Sequence, residues 1–364
     1  MIDNLKIIHG FRPLSVCTGY VLWAKGYSIY VSDHQAHKFD WVCDIPVGWI
    51  NILFSHSRIL QRLMRLEVYS ATQLETDEFI VSTRGKLWYL NVQNKEVTHD
   101  HSLRVGSRPL SLLALRQSQL YQDGIYYGEY SENLSRENVE IYHRNIDGKW
   151  NIVYSFPVGS IEHVHSLIEN PETGEIWVLT GDFDGGSGFW VVDHGFTNVR
   201  PLLLGSQEYR CTWASWHGKK AYFATDSQRH KNSFRYINND GQGWETTTLS
   251  PIYGSSIYSA ITNKWIAFST AVEPLASSSR SLKNMFDRKP GPGIMGKDSY
   301  VYLWRNKNNL EVLFKLKKDW LPPTLFQFGT VIFPGYCIAD SDFLYCYCVG
   351  LKGYDGCTVI KYVS

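Results

Sequence analysis

No run of this 364-residue chain approaches the ~18 consecutive apolar residues that mark a membrane-crossing helix, so none is expected. The opening segment, MIDNLKIIHGF, lacks a basic stretch followed by an apolar one and does not read as a secretory leader. The expectation is a soluble, cytoplasmic protein. An excess of one charge is also missing: 36 Lys and Arg stand against 35 Asp and Glu. That balance argues against a broad basic face for nucleic acid and leaves room only for a local basic site. The seven cysteines, Cys17, Cys43, Cys211, Cys337, Cys346, Cys348 and Cys357, are odd in number and form no C-x-x-C pair. Neither a disulfide framework nor a structural zinc site is expected, and reduced, mostly buried thiols are. Helix signals are scarce. The best amphipathic candidate, ILQRLMRLEVYSA, spans at most about three turns and reads equally as loop plus strand. No G-x-S-x-G, phosphate-binding loop or dinucleotide fingerprint stands in a fitting strand–helix context.

What is present is aromatic and strand-like. Phe, Trp and Tyr make up 15% of the chain, and apolar runs of four to six residues alternate with Gly, Asn, Asp and Ser turns. Such a chain favours an all-β sandwich, barrel or propeller. An internal repeat decides among these. FRPLSV at 11–16 returns as SRPLSL at 107–112, and further units open near RLEVYS, HVHSLI, YRCTWA, SSIYSA and PTLFQF. Second strands follow, such as EFIVST, EIWVLT and FLYCYC, and then third strands such as KLWYLN, GFWVVD and YVYLWR. Units of roughly 50 residues suit the four-stranded blades of a β-propeller. The prediction is one β-propeller domain over residues 1–364, with seven blades favoured over six. The last unit ends at CTVIKYV without an outer strand, which residues near 4–11 are expected to supply by pairing with 357–363. A Ser-, Pro- and Gly-rich segment at 272–299, with five Lys and Arg, reads as a long surface loop.

The turn at 191–199, VVDHGFTNV, carries Asp193-x-Gly195-x-Thr197. It resembles the Asp-box of sialidase-like (BNR-repeat) propellers, which joins the third and fourth strands of a blade. The turns at Asp147–Gly148 and Asp240–Gly241 resemble eroded copies, and the one at Asp33 a weaker copy. Residues 159 to about 236 also resemble uncharacterised propeller proteins encoded near bacterial polysaccharide genes, through the run H-x-H…P-x-T-G-x-I-W-V-x-T-G-D. The first resemblance implies a fold, because Asp-boxes are structural and transfer no catalysis. The second implies an association with carbohydrate. Sialidases carry Phe/Tyr-Arg-Ile-Pro before the first blade, where Phe11-Arg12-Pro13-Leu14 stands here. Their nucleophilic Tyr with its partner Glu has no placed counterpart, so sialidase chemistry is not expected.

In a propeller the entries of the innermost strands converge on one axial mouth. His163 and His165, two apart on a strand, would face it together. Arg12, Arg65, Arg108 and Arg210 hold corresponding places at other entries. Guanidiniums gathered there call for an anion, and their planar fork suits a carboxylate. The reading is an acidic, uronate- or sialate-type oligo- or polysaccharide as ligand. The alternative is that these arginines cap strand ends or pair with neighbouring carboxylates. Polar turns add Gln207, Glu208 and Tyr209; Tyr127, Glu129, Tyr130 and Asn133; Asp182 and Asp184; and Asp226.

Three functions fit this mouth. A lyase would use arginine or a metal to neutralise the uronate carboxylate, His163 or His165 as base, and Tyr209 or Tyr127 as acid. A glycoside hydrolase would use two carboxylates from Glu129, Asp182 and Asp226. A non-catalytic glycan-binding or scaffold propeller would need neither. The histidine, arginine and tyrosine inventory favours the lyase, with Gln207 and Tyr127 beside the arginines on substrate. No cofactor is strictly required. A divalent metal would be held by His163 and His165 with Gln207 or a carboxylate (Zn²⁺ or Mn²⁺), or by the D-x-D-G turn at 182–185 (Ca²⁺).

Overall fold

Short alternating runs punctuated by tight turns can satisfy their backbone only by pairing with the next run, so the chain folds as successive antiparallel hairpins. The computed structural model describes residues 5–239, 241, 243–275, 285–305 and 309–363. Its sheets form the seven blades of a propeller. The inner strands are Arg12–Val16, Ser70–Glu75, Leu113–Leu115, His163–Glu169, Ser215–His217, Ser255–Ile261 and Thr330–Ile332, in blades 1 to 7. In blades 1 to 6 the next three strands of the chain follow outward in order.

Blade 7 is built from both ends of the chain. Its order runs Thr330–Ile332, Phe343–Val349, Cys357–Tyr362 and then Leu5–His9. The N-terminal strand pairs antiparallel from Leu5↔Lys361 to His9↔Cys357, as expected. A second seam joins the same blades on the inside: Gly335–Tyr336 adds parallel to Ser15–Val16 of blade 1.

The aromatic richness has a structural reason. Each blade buries its faces against its two neighbours, so the apolar residues collect between blades and the axis is left to polar ones. Between blades 4 and 5, Trp177 meets Trp216 edge-on at 4.8 Å and Phe189 meets Phe223 at 5.3 Å. Comparable clusters separate blades 1 and 2, 3 and 4, and 6 and 7.

Several expectations change. The amphipathic segment is helical. Two short helices, α1 (Trp49–Ser55) and α2 (Arg58–Met64), form a hairpin between blades 1 and 2. Arg65 caps α2 in the left-handed region (φ 60°) and does not open a strand. PTLFQF is no strand either. Pro323 starts a single turn, α3 (Pro323–Phe326), where its fixed φ suits a first helical position, and the inner strand of blade 7 begins at Thr330. The 272–299 segment is pinned where described, by bridges Val272↔Gly329 and Pro274↔Pro290. Its residues 276–284 lie outside the described part, as does Asp240. The Asp193 turn joins the third and fourth strands of blade 4, with Gly195 at φ 68°. All seven cysteines are free; six are buried and Cys337 is exposed. No helix among the described residues is long and apolar enough to cross a membrane.

Candidate functional site

Two features of blade 4 bring its histidines to the axial end. The ladder between His163–Glu169 and Ile176–Gly181 slips between Val164 and Ser166, so His165 sits in a bulge that re-aims it. Blade 3 then docks on the same stretch, with Val164 N–H donating to the Glu129 carbonyl at 2.9 Å. Gly128 permits that approach, since a β-carbon there would strike the Val164 side chain.

The outcome is a compact cluster. His163 Nδ1 bonds the Ser131 carbonyl at 2.9 Å and His165 Nδ1 bonds the Cys211 carbonyl at 2.8 Å. A carbonyl only accepts, so both Nδ1 atoms carry a proton, and in the neutral imidazoles both Nε2 lone pairs point inward. The two Nε2 atoms are 3.1 Å apart. Asp182 completes the triangle, with Oδ2 3.5 Å from His163 Nε2 and Oδ1 3.5 Å from His165 Nε2. Arg210 Nη2 holds Asp182 Oδ1 at 2.7 Å and reaches Asp226 Oδ2 at 3.5 Å. The imidazoles are buried, whereas the Asp182 side chain keeps 33% of its surface open. Asp182 also has φ 89°, a strained conformation for a residue with a β-carbon.

Three donor atoms around a divalent ion at ~2.1 Å would be spaced ~3.0 Å in octahedral and ~3.4 Å in tetrahedral geometry. The Nε2–Nε2 edge of 3.1 Å falls in that range, and each imidazole has a different Asp182 oxygen 3.5 Å away, so one carboxylate oxygen would draw in by a few tenths of an ångström to join a metal. The carbonyls on Nδ1 are the outer-shell partners that metal-ligating histidines need. Among the described residues this is the one group of three or more His, Cys, Asp or Glu side chains whose ligand atoms converge in this way. Imidazole nitrogens suit Zn²⁺ or Mn²⁺ better than Ca²⁺, which takes oxygen ligands.

The charges of the cluster centre on Asp182, and a metal would have to displace any proton it draws onto His163. Burial is the largest influence on His163 and disfavours its charge, yet the Asp182 charge and hydrogen bond, the Ser131 carbonyl and Glu162 together raise its pKa. Burial likewise opposes ionisation of Asp182, but Arg210 and His163 hold it well below the usual carboxylate range. Asp226 goes the other way: burial raises it despite Arg210. Glu273, buried beside Asp226 and bonded to Gln228 at 2.9 Å, is pushed up to about 8.

The predicted residues therefore divide. His163, His165, Asp182, Arg210 and Asp226 come together. Arg12, Arg65 and Arg108 form a second polar group around Glu67, Tyr69 and Tyr258. Arg12 pairs with Glu67 at 2.9 Å, and Arg108 donates to Tyr258 Oη at 2.9 Å while lying over the Tyr69 ring. Burial first, and then Arg108, lowers the Arg65 pKa. Tyr130 stands near both groups: its ring is 4.5 Å from His163, and its hydroxyl is raised by burial and then by Asp182, with Arg108 opposing.

Others fall outside. Gln207 does not join the histidines, because its amide bonds Asp184 at 2.9 Å and Ser227 at 3.1 Å. Asp182, not Gln207, is the third polar group beside the two imidazoles. Asp184 is turned to Gln207, so the D-x-D-G turn does not gather a calcium shell. Glu129 is locked by Arg104, with Nε 2.8 Å away, and by the Glu140 N–H at 3.0 Å. Tyr127 lies between blades 2 and 3, bonded to His101 at 2.9 Å and stacked on Tyr142. Tyr209 packs in the apolar cluster between blades 4 and 5. Glu67, Glu273, Tyr69 and Tyr258 carried no sequence signal, since each is one polar residue in an otherwise strand-like run.

No protein-family model matches the chain. No curated protein matches it either. Among solved structures, a chain of the "Crystal Structure of Mitotic Checkpoint Complex" is similar at TM-score 0.56 and 8% identity, over 98% of this chain and 93% of that one. The "AfRom2 CNH domain" is similar at TM-score 0.52 and 9% identity, over 100% and 96%. These likenesses are of fold alone.

Proposed function

We propose that His163, His165 and Asp182 hold a divalent metal, Zn²⁺ or Mn²⁺, and that the protein acts there on a carboxylate-bearing glycan by β-elimination. One observation carries this reading: two Nε2 lone pairs 3.1 Å apart, each fixed by a carbonyl behind it, beside a carboxylate. Bare lone pairs and a negative charge repel one another, and a cation among them removes that cost. A bound metal would supply a Lewis acid for the uronate carboxylate, acidifying the adjacent C–H.

The chain's own groups take the remaining roles. Arg210 keeps Asp182 ionised and oriented; the Asp226 carboxylate beside it takes the α-proton, and Tyr130, protonated at neutral pH, gives a proton to the leaving oxygen as the carbon–oxygen bond breaks. The hydrolase alternative is less supported. Glu129 is committed to Arg104, and Asp182 and Asp226 share one guanidinium. The resemblance of the 163–182 run to polysaccharide-associated propellers supports a carbohydrate substrate. A glycan-binding module without turnover is the second reading. It is favoured by Arg12 and Arg108 being occupied by Glu67 and Tyr258.

The test is elemental analysis of purified protein, then assay of the metal-loaded protein on uronate-containing and neutral oligosaccharides. One metal per chain and unsaturated products absorbing in the near ultraviolet are expected, with both lost in His165→Ala. Metal-free protein that takes up neither Zn²⁺ nor Mn²⁺ would refute the metal centre. Acidic-glycan binding without products would select the second reading.

A further inference from the structure

A different part of the molecule gathers positive charge. On blades 6 and 7, a cavity of about 380 Å³ is lined by Arg288, Lys289, Lys297, Lys317 and Lys352, with Trp320 in its wall. Backbone bonds fix this convergence. Lys318 N–H donates to the Lys297 carbonyl, and Lys352 N–H to the Lys317 carbonyl, each at 2.8 Å. Three chain segments are thereby tied together with their lysines side by side.

The two carboxylates in the lining, Glu273 and Asp319, are engaged elsewhere. Asp319 is held by Arg62 at 2.5 Å and also by Lys318, while Glu273 faces Gln228 and Ser255. Six cations line the cavity; Lys318 pairs with Asp319, and no described carboxylate lies within ion-pairing distance of the other five. Like charges placed together in a concave site raise the local potential and attract a multivalent anion. Lysines suit phosphate as point charges. Trp320 is 72% exposed, with the Arg288 guanidinium 5.9 Å from its ring. An exposed indole beside a cation is a platform for a flat ring. The chain's near-zero net charge argues against a nucleic-acid strand, and the cavity is of small-molecule size.

We propose that this cavity is a binding site for a small molecule carrying two or more phosphate groups and a planar ring, of the nucleoside diphosphate type. It borders the axial cluster at Glu273, which lines the cavity, and does not depend on the function proposed there.

Calorimetric titration with ADP, inorganic pyrophosphate and adenosine, at low and at physiological salt, tests it. ADP should saturate at one per chain, pyrophosphate should bind more weakly, and adenosine should not bind. Raising the salt should weaken both anions. Lys297→Ala, Lys317→Ala and Lys352→Ala, all at exposed positions, should each weaken ADP about tenfold. Trp320→Ala should weaken ADP and leave pyrophosphate unchanged, which a merely electrostatic patch would not do. His165→Ala should alter neither. Failure of both anions to saturate, or indifference to all three lysine changes, would overturn the site. ADP binding unaffected by Trp320→Ala would overturn the ring platform, and adenosine binding as tightly as ADP would overturn the anionic reading.

Discussion

Gly181 and His165 face each other across the first hairpin of blade 4, so closely that a β-carbon at 181 would stand 2.8 Å from His165 Nε2. The imidazole occupies the space of the missing side chain. Gly181→Ala should therefore rotate or expel the ring and break the Nε2 convergence with little loss of fold. We expect Zn²⁺ affinity to fall roughly 10- to 100-fold, the size of effect seen when support behind a metal ligand is removed. Calorimetric Zn²⁺ titration beside unchanged circular dichroism would show this, and wild-type affinity would sink the predicted geometry.

Arg210 is buried and lies between Asp182 and Asp226. Arg210→Met leaves two close carboxylates without their cation. Removing one partner of a buried pair costs about 3–5 kcal/mol, and the lower end applies because Asp182 reaches solvent. Urea unfolding should show about 3 kcal/mol lost at neutral pH, with part of it recovered on acidification. A loss under ~1 kcal/mol would mean the pair is unimportant to stability.

Glu273 makes stability depend on pH. Its folded pKa, about 8, lies above the ordinary value of 4.5, so the native state holds a proton that the unfolded state releases. Between those two values stability falls as pH rises, by at most ~1.4 kcal/mol per pH unit for this group. Glu273→Gln keeps a neutral group and should flatten the decline between about pH 5 and 8. Thermal melts across that window decide the matter, and identical slopes for both proteins would contradict it.

Cys337 should be the reactive thiol. Hydrogen bonding from Cys17 lowers its pKa to about 7, and it is the exposed member of the seven. At neutral pH it is partly thiolate, the nucleophilic form. Brief iodoacetamide treatment followed by peptide mass mapping should find Cys337 alkylated first. Prior modification of any other cysteine would refute this.

The N-terminal strand closes the ring. Deleting residues 1–9 removes the partner of Cys357–Tyr362 and leaves blade 7 with an open edge. The shortened protein should melt well below the full chain or aggregate. Melting at the full-chain temperature would show that the inner seam at Ser15–Gly335 suffices.

Much of the blade order was readable, because a strand's hydrogen bonds and side-chain alternation are local. EFIVST, KLWYLN and VEIYHR each became the predicted strand. Inner-strand starts were less readable. Arg65, Arg108 and Arg210 each precede their strand by five residues, the strands beginning at 70, 113 and 215. Entry segments near the axis bond to neighbouring blades as well as to their own hairpin, so alternation alone does not mark where pairing begins.

Composition and repeat spacing alone determined an all-β ring of about seven hairpin-built units, closed by its own N-terminus, because strand pairing and face burial are set by residues close together in the chain. The i, i+2 spacing also determined that His163 and His165 share a side. Tertiary structure decided their third partner. Gln207 and Asp182 were equally polar candidates in sequence, and only the packing of blades 4 and 5 turned one amide to Asp184 and Ser227 and one carboxylate to the imidazoles. It decided too that Arg12 would be spent on Glu67, 55 residues further along the chain, and that lysines from three separate segments would share one cavity. Such meetings depend on where whole blades sit in the ring, and a linear pattern of residues does not encode that distance.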